Sequence, residues 1–436
     1  MHNNELMVWT TYKEKIAHLS QKIVQIQRPI RIIDAIKWDH SIEEELRNSQ
    51  FRSMPKIGPE YYLRNELGFE PQTKIEDLQA FVKEIEYTLG PSDEIGKLLK
   101  TVAEEYITVI QMLLARGTKR FWEHSRKLYG SPKDRFYDDS NTILSLGQLL
   151  YSILSGFDGK NLGTDYPQDI EAEQTVEILN ERFTSYFGEG VVEAKLSDGI
   201  LADASAGGDF VKIKQGQKFS LRDIDIMEVH EGWVHVGTTQ NGHLQHIAKW
   251  LSKGPPRCSA TQEGLAVIME IFTFRSYPKR VRHINDRILA IDKAEDGANL
   301  LEVIEFYRTE GYSEDDCIAN AKRVFRGGVA EGGAPYTKDI SYCRGFIENY
   351  NFMRAAIRAG APDLIPFLFA GKLNVEDVPL LYQKHKEGII DMPRHLPPQF
   401  SDLNGIAVWM SFSSFLNLVD LKRIQEHYNK LFQAFL

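Results

Sequence analysis

The spacing of two histidines constrains this chain more than any other local pattern in its sequence. His230 and His235 enclose Glu231 in the run His-Glu-Gly-Trp-Val-His, so the two imidazoles are five residues apart. Each residue of an α-helix turns about 100°, which leaves two such rings about 140° apart on a regular helix. A one-residue π-bulge would bring both rings to one face, and Gly232 supplies backbone freedom for it. The alternative is two unrelated polar histidines on a helix surface.

A glutamate on a later predicted helix offers a third group to that face. Glu263 lies in Thr-Gln-Glu-Gly-Leu-Ala, and the pattern predicts a helix over 261–272, capped by Ser259 or Thr261. Two histidines and one carboxylate are a ligand set of catalytic Zn²⁺, which leaves one position open for water. His230, His235 and Glu263 are therefore candidate zinc ligands.

The periodicity of apolar residues predicts an α+β protein dominated by helices. Helical spacing is clear in residues 75–89 and 98–115, and helical texture returns after residue 264. Short alternating runs separated by Gly and Asp, at 191–196, 200–206 and 210–214, predict a three-stranded antiparallel sheet. Ser220 is expected to cap the histidine helix, with Asp223 in its first turn. The small sheet would thus immediately precede that helix.

Three regions are expected along the chain. A helical N-terminal region would cover residues 1–160, a catalytic core 161–345, and a helical C-terminal region packed on that core 346–436. The glycine-rich segment 156–167 is the best candidate for a linker. The apolar run 406–419 is too short to cross a bilayer, for which about 20 residues are needed, and we expect a buried helix there.

Charge and cysteine content narrow the class of protein. Lys and Arg number 52 against 61 Asp and Glu, a net charge of -9, which argues against a nucleic-acid partner. Three cysteines without a CxxC pattern favour reduced thiols, and the chain begins with no apolar signal-peptide core. We therefore expect a cytoplasmic protein with no membrane partner; the sequence does not define its oligomeric state.

The motifs in combination resemble the QEGLA-motif proteins, which are bacterial homologues of the microtubule-associated tyrosine carboxypeptidases. The resemblance covers about residues 190–345, and Tyr336 stands where that family usually has Phe. It is carried by the His-Glu-x-x-x-His run with Asn241-Gly242 after it, by residues 261–266, and by the segments 204–208, 326–328 and 333–339 with Tyr342.

The resemblance implies a predominantly helical metallopeptidase fold and a zinc-dependent carboxypeptidase. His230, His235 and Glu263 would hold Zn²⁺, and Glu231 would act as general base. The eukaryotic members remove the C-terminal tyrosine of tubulin and carry long N-terminal extensions. This chain shows no such extension, which points to the bacterial branch and away from microtubules. The expected substrate is therefore a peptide or protein C-terminus.

Several further residues are candidates for substrate binding, transition-state stabilisation or orientation of a metal ligand. Lys338 and Arg326, in a glycine-rich segment, could bind a substrate carboxylate, with Tyr336 as a hydroxyl donor. Tyr342 could stabilise the tetrahedral intermediate, and Glu270, two helical turns after Glu263, could orient a ligand histidine. Each has a plain alternative, since loop cations often pair with local carboxylates and Glu270 could be a surface charge.

Other interpretations stay open at this point. His243, His246 and Cys258 lie near the motif in sequence and could reach the metal, although structural histidines and a buried thiol are the simpler interpretation. The glycines do not form a phosphate loop, because no GxxxxGK[ST] pattern is present. The same zinc ligands would also serve an amidase or a dipeptidase. A non-enzymatic metal-binding regulatory protein is the alternative outside the enzymes.

Overall fold

The structure is a computed structural model that describes residues 2–137, 140–154, 166–416, 418 and 421–433. Helices dominate it and two small sheets accompany them, which confirms the predicted α+β class. The predicted boundary at residue 160 and most of the predicted linker 156–167 lie outside the described residues. The first eight helices are α1 (His2–Gln27), α2 (Ile32–Ile36), α3 (His40–Asn48), α4 (Pro59–Leu63), α5 (Pro71–Leu89), α6 (Glu94–Leu114), α7 (Lys119–Tyr129) and α8 (Ile143–Leu154).

The two helices predicted most directly from apolar spacing, α5 and α6, are confirmed. They pack against each other, with Phe81 of α5 and Leu99 of α6 completely buried. Asp93 caps α6, since its side chain accepts a hydrogen bond from the backbone N–H of Gly96 at 2.7 Å. An acidic cap satisfies a donor that the helix itself leaves free.

The three-stranded sheet is mixed rather than antiparallel, so that part of the prediction is wrong. Its strands are β2 (Glu193–Ser197), β3 (Ala204–Ala206) and β4 (Phe210–Lys214). They lie in the order β2-β4-β3, with β2 parallel and β3 antiparallel to β4. Val211 and Ile213 of the central strand β4 are both fully buried. Two short strands, β1 (Ile170–Glu171) and β5 (Lys218–Phe219), pair antiparallel as a second sheet.

A helix with a π-helical centre follows the sheet. Ser220 and Asp223 form a reciprocal capping box at its start, which confirms the predicted cap. The segments between the sheet and the later helices are α9 (Ala172–Phe187), which covers the sheet, then α10 (Leu221–Met227), a π-helix (Glu228–Val236) and α11 (Gly237–Leu244).

The helix that carries Glu263 begins at Ser259 and ends at Phe272, and we call it α12. Neither Ser259 nor Thr261 caps it, contrary to expectation: the residue before the helix is Cys258, which makes no side-chain cap hydrogen bond. A 3-10 turn, Pro256–Cys258, leads directly into the helix and takes the place of a cap. The remaining helices are α13 (Pro278–Glu295), α14 (Leu300–Thr309), α15 (Glu314–Phe325), α16 (Ser341–Arg358), α17 (Val378–Lys386), α18 (Pro398–Ser401), α19 (Asn404–Leu416) and α20 (Leu421–Gln433).

The helices α12 and α16 cross at backbone contact. A Cβ added to Gly264 would lie 1.9 Å from the carbonyl carbon of Gly345, and one added to Gly345 would lie 1.6 Å from the carbonyl oxygen of Ala260. Only glycine fits at such a contact, so these two residues set how near α16 comes to Glu263.

The apolar run near the C-terminal end is not a buried helix as predicted. It forms α19, which buries Ile406 and Met410, while Trp409 and Phe412 are 59% and 60% exposed. Among the described residues, α16 and α18 pack against α19, and the apolar side chains of Trp409 and Phe412 remain exposed.

The largest hydrophobic core joins residues from all three predicted regions, including Ile16 of α1, Leu265 of α12 and Met410 of α19. The three-region division stays a prediction. No helix among the described residues is both long and apolar enough to cross a membrane.

Candidate metal centre

The helix through the two histidines is wound wide, as their spacing predicted. Residues 228–236 form a π-helix of nine residues, which is longer than the one-residue bulge we expected. A π-turn brings residues five apart onto one face, and the rings of His230 and His235 lie 4.9 Å apart at 82°. Gly232 serves packing here, since an added Cβ would lie 2.4 Å from the Phe183 ring.

Glu263 approaches both imidazoles from α12. Its Oε2 atom lies 3.5 Å from Nε2 of His235 and 3.8 Å from Nε2 of His230. This oxygen is buried and has no hydrogen-bond partner among the described residues. An unpaired buried carboxylate oxygen facing two ring nitrogens fits a zinc ion, for which nitrogen and oxygen are suitable ligands.

Glu231 completes the cluster of potential ligand atoms. Together with His230 and His235 it forms a group of described side chains whose ligand atoms lie close enough to one another to hold a metal ion. Its Oε1 lies 4.0 Å from Nε2 of His230, while its Oε2 accepts a hydrogen bond from the backbone N–H of Ala206 at 2.9 Å. Strand β3 therefore holds one carboxylate oxygen and leaves the other facing the imidazoles.

The other nitrogen of His230 is held by Glu270, as the helical spacing suggested. Nδ1 of His230 lies 2.7 Å from Oε1 of Glu270, whose side chain is completely buried. The same oxygen accepts a hydrogen bond from the Arg280 guanidinium at 3.0 Å. Burial raises the pKa of Glu270, but the charge of Arg280 and the hydrogen bond with His230 lower it to about 2. An ionised Glu270 directs the Nδ1 proton toward itself and leaves Nε2 free as a ligand.

The carboxylates of the centre favour a positive charge at the imidazoles. Burial lowers the pKa of His230, yet Glu263 and Glu270 raise it to about 10. Burial raises the pKa of Glu263, but the charge of Lys338 and the nearby imidazoles hold it well below its usual range. Carboxylates that stay ionised when buried attract either protons or a metal ion at the imidazoles.

The sequence model of the microtubule-associated tyrosine carboxypeptidases matches residues 44–418, which is most of the chain and includes every residue of this centre. The chain belongs to this family. No curated protein compared with it gives a match. The family description indicates a carboxypeptidase, and hence a hydrolase whose substrate is a peptide or protein.

Within this family member, the residues predicted to bind substrate lie at different distances from the centre. Lys338 is beside it, with Nζ donating to Oε1 of Glu263 at 3.0 Å. Tyr342 is also close, since its ring lies 6.4 Å from that of His230. Arg326 and Tyr336 lie deeper, with 7% and 1% of their surfaces exposed. The Tyr336 hydroxyl contacts that of Tyr129 at 3.3 Å, and the Arg326 guanidinium stacks on the Tyr336 ring.

The remaining candidates lie outside the cluster. His246 pairs with Asp391 at 2.9 Å and is largely exposed. Cys258 is a buried free thiol, and burial raises its pKa well above the usual value. His243 is likewise not part of the metal-binding group of the described residues.

Sequence reasoning missed Lys372, which joins the π-helix to α12. Its Nζ donates to the carbonyl oxygen of His235 at 2.8 Å and to Oε1 of Gln262 at 2.7 Å. Thr238 donates to the same Gln262 oxygen at 2.9 Å. The glutamine beside Glu263 thus ties α12 to the end of the π-helix. Lys372 lies more than 100 residues after both partners in the chain, so no local pattern signalled this contact.

Proposed function

We propose that this protein is a zinc-dependent metallocarboxypeptidase that hydrolyses the last peptide bond of a peptide or protein. The observation that carries the proposal is the unpaired, buried Oε2 of Glu263, which faces Nε2 of His230 and of His235. These three residues would hold the ion. When bound, Zn²⁺ supplies Lewis acidity and an activated water at neutral pH.

The chain's own groups divide the proton chemistry. Glu231 takes the proton of the attacking water on Oε1 and returns it to the leaving nitrogen, so it acts as general base and then as general acid. The backbone N–H of Ala206 supports this role, because it holds Oε2 at 2.9 Å and fixes the carboxylate. Tyr342, beside His230, donates a hydrogen bond to the oxyanion that forms at the scissile carbonyl.

The substrate proposal follows the family description. A C-terminal tyrosine is the first side chain to test, and Lys338 and Arg326 are cations for the terminal carboxylate, Lys338 being the nearer to the centre. The three cysteines are free thiols, in keeping with a cytoplasmic enzyme. A tubulin-type tail and an unrelated bacterial peptide are separate substrates, which a peptide library distinguishes.

The decisive experiment combines metal analysis with cleavage of a mixed peptide library. We expect one zinc per chain and products shortened by one C-terminal residue. Glu231→Gln should keep zinc and lose activity by about 100-fold or more, whereas His230→Ala and His235→Ala should lose the metal. His246→Ala, a neighbouring exposed histidine, is the matched control and should behave as the unaltered protein.

Each failure has a distinct meaning. Cleavage confined to dipeptides, or release of ammonia from amides, would indicate another zinc hydrolase, a dipeptidase or an amidase, at the same centre, and internal cuts would refute a carboxypeptidase. Full activity in Glu231→Gln would reject the proposed base. Protein that neither contains zinc nor gains activity when zinc is added would instead support a regulatory protein without catalysis.

A further inference from the structure

The cations around the metal centre are almost all matched to carboxylates. Arg280 pairs with Glu270 and Lys338 with Glu263, each at 3.0 Å, and both therefore serve the centre's own acids. The outer pairs follow the same rule: Arg275 with Glu228, and Arg323 with Asp339. A substrate carboxylate would have to compete with these acids for any of the four cations.

Arg287 of α13 is different. Its guanidinium carbon lies 4.7 Å from the centre of the Tyr342 ring, and it forms no ion pair or hydrogen bond among the described residues. Its Nε is buried without a partner, although the residue as a whole is only half-buried. A buried guanidinium N–H with no acceptor is costly unless a ligand supplies one.

The acids nearest to Arg287 are occupied by other groups. Asp339 accepts two hydrogen bonds from Arg323, at 2.6 and 3.0 Å. Asp286, its neighbour in the chain, accepts a hydrogen bond from the Tyr312 hydroxyl through Oδ2 at 2.8 Å, while its Oδ1 is buried without a hydrogen-bond partner among the described residues. The charge of Arg287 acts on Asp339 without an ion pair between them, and the guanidinium N–H groups therefore remain available to a ligand.

The position of Arg287 matches the length of one terminal residue. Its guanidinium carbon lies 4.7 Å from the centre of the Tyr342 ring, which lies 6.4 Å from the centre of the His230 ring, so the sum of these two separations is an upper limit on the distance from Arg287 to His230. A single residue spans about 3.8 Å, and a hydrogen bond at each end adds about 3 Å. A substrate held at the imidazoles can therefore present its terminal carboxylate to Arg287.

We propose that Arg287 receives the C-terminal carboxylate of the substrate and so determines exopeptidase specificity. The inference rests on the proposed function, and names the residue that restricts the same centre to chain ends. A guanidinium binds a carboxylate through two parallel hydrogen bonds, and Tyr342 keeps it stacked in place. Lys338 is engaged by Glu263. Arg326 also has a buried Nε without a hydrogen-bond partner among the described residues, but it is only 7% exposed and is therefore less accessible to a substrate than the half-buried Arg287.

The test compares two probes that differ only at the carboxylate. N-acetyltyrosine and N-acetyltyrosinamide are titrated calorimetrically into the zinc-loaded protein carrying Glu231→Gln, which prevents turnover. Adding Arg287→Ala should weaken binding of the acid by about 10- to 100-fold and leave the amide unchanged. Arg287→Lys should restore part of the loss, because it keeps the charge without the fork.

Arg282→Ala is the matched control, since Arg282 lies on the same helix and pairs with Glu310. It should bind both probes as the parent does. An equal loss for acid and amide in Arg287→Ala would make the residue structural and overturn the inference. So would loss of the preference in Lys338→Ala or Arg326→Ala while Arg287→Ala retains it.

Zinc content and library cleavage separate this failure from that of the proposed function. If the unaltered zinc-loaded protein removes no C-terminal residue, the proposed function and the role of Arg287 are both rejected. If it does so, and Arg287→Ala keeps its preference for the free carboxylate, the carboxypeptidase stands and Arg287 is excluded.

Discussion

Replacement of Gly264 by alanine tests the helix crossing on which the centre depends. The added Cβ would lie 1.9 Å from the carbonyl carbon and 2.2 Å from the carbonyl oxygen of Gly345. Neither atom belongs to a flexible side chain, so α16 as a whole would have to move away from α12. Separating them would also displace Glu263, the adjacent residue, from the imidazoles.

Two opposing effects set the magnitude. Alanine inside a helix is favoured over glycine by about 1 kcal/mol. Overpacking a close contact costs about 1–3 kcal/mol, and more where the obstacle cannot adapt. Because the obstacle here is backbone, we take the upper end and expect a net loss of about 2 kcal/mol or more in the free energy of unfolding.

Urea denaturation of the metal-free protein measures this loss, and chelator competition measures zinc affinity, which should fall as well. Gly405→Ala is the matched control, because an added Cβ there meets no atom within 4 Å; it should be neutral or slightly stabilising. Unchanged stability together with unchanged zinc affinity in Gly264→Ala would refute the close crossing.

Two further substitutions probe the surroundings of the centre. Lys372→Met removes the ammonium that bridges His235 and Gln262, so zinc affinity should fall about 10-fold and the visible spectrum of the cobalt-substituted protein should change; an unaltered spectrum would contradict this role. Burial raises the pKa of Glu105 from 4.5 to about 7, although Arg257 opposes the shift. Between these two pH values the folded protein keeps a proton on Glu105 that the unfolded chain releases. The free energy of unfolding therefore falls as the pH rises from 4.5 to about 7. Glu105→Gln should remove that fall, gaining up to about 3 kcal/mol at pH 8 relative to pH 5, and equal urea midpoints for both proteins at each pH would disprove it.

Local chemistry explains which features could be predicted from the order of residues. A spacing of five between two histidines requires a wide turn if the rings are to meet, and the π-helix supplies it. The Ser220–Asp223 capping box and the amphipathic helix α6 likewise depend on residues close together in the chain. The placement of Glu270 two turns after Glu263 is of the same kind.

Contacts between distant segments had to come from the tertiary structure. Strand β4 lies between β2 and β3, and the alternating pattern that predicts each strand does not reveal which strands pair or in which direction. The exposure of Trp409 reflects the absence of a neighbour over that side of α19 among the described residues, since apolar composition alone cannot show what packs where.

The sequence by itself determined the parts of the candidate metal centre: the two imidazoles, the carboxylates that accompany them, and the unusual helix that their spacing requires. Tertiary structure decided what each cation near them does. Lys338 pairs with Glu263 and Lys372 binds the π-helix, whereas Arg287 lies over the Tyr342 ring without an ion pair among the described residues. Helix geometry depends on residues a few positions apart, so it can be predicted from the order of residues. An ion pair joins residues that are distant in the chain, so it depends on the tertiary structure.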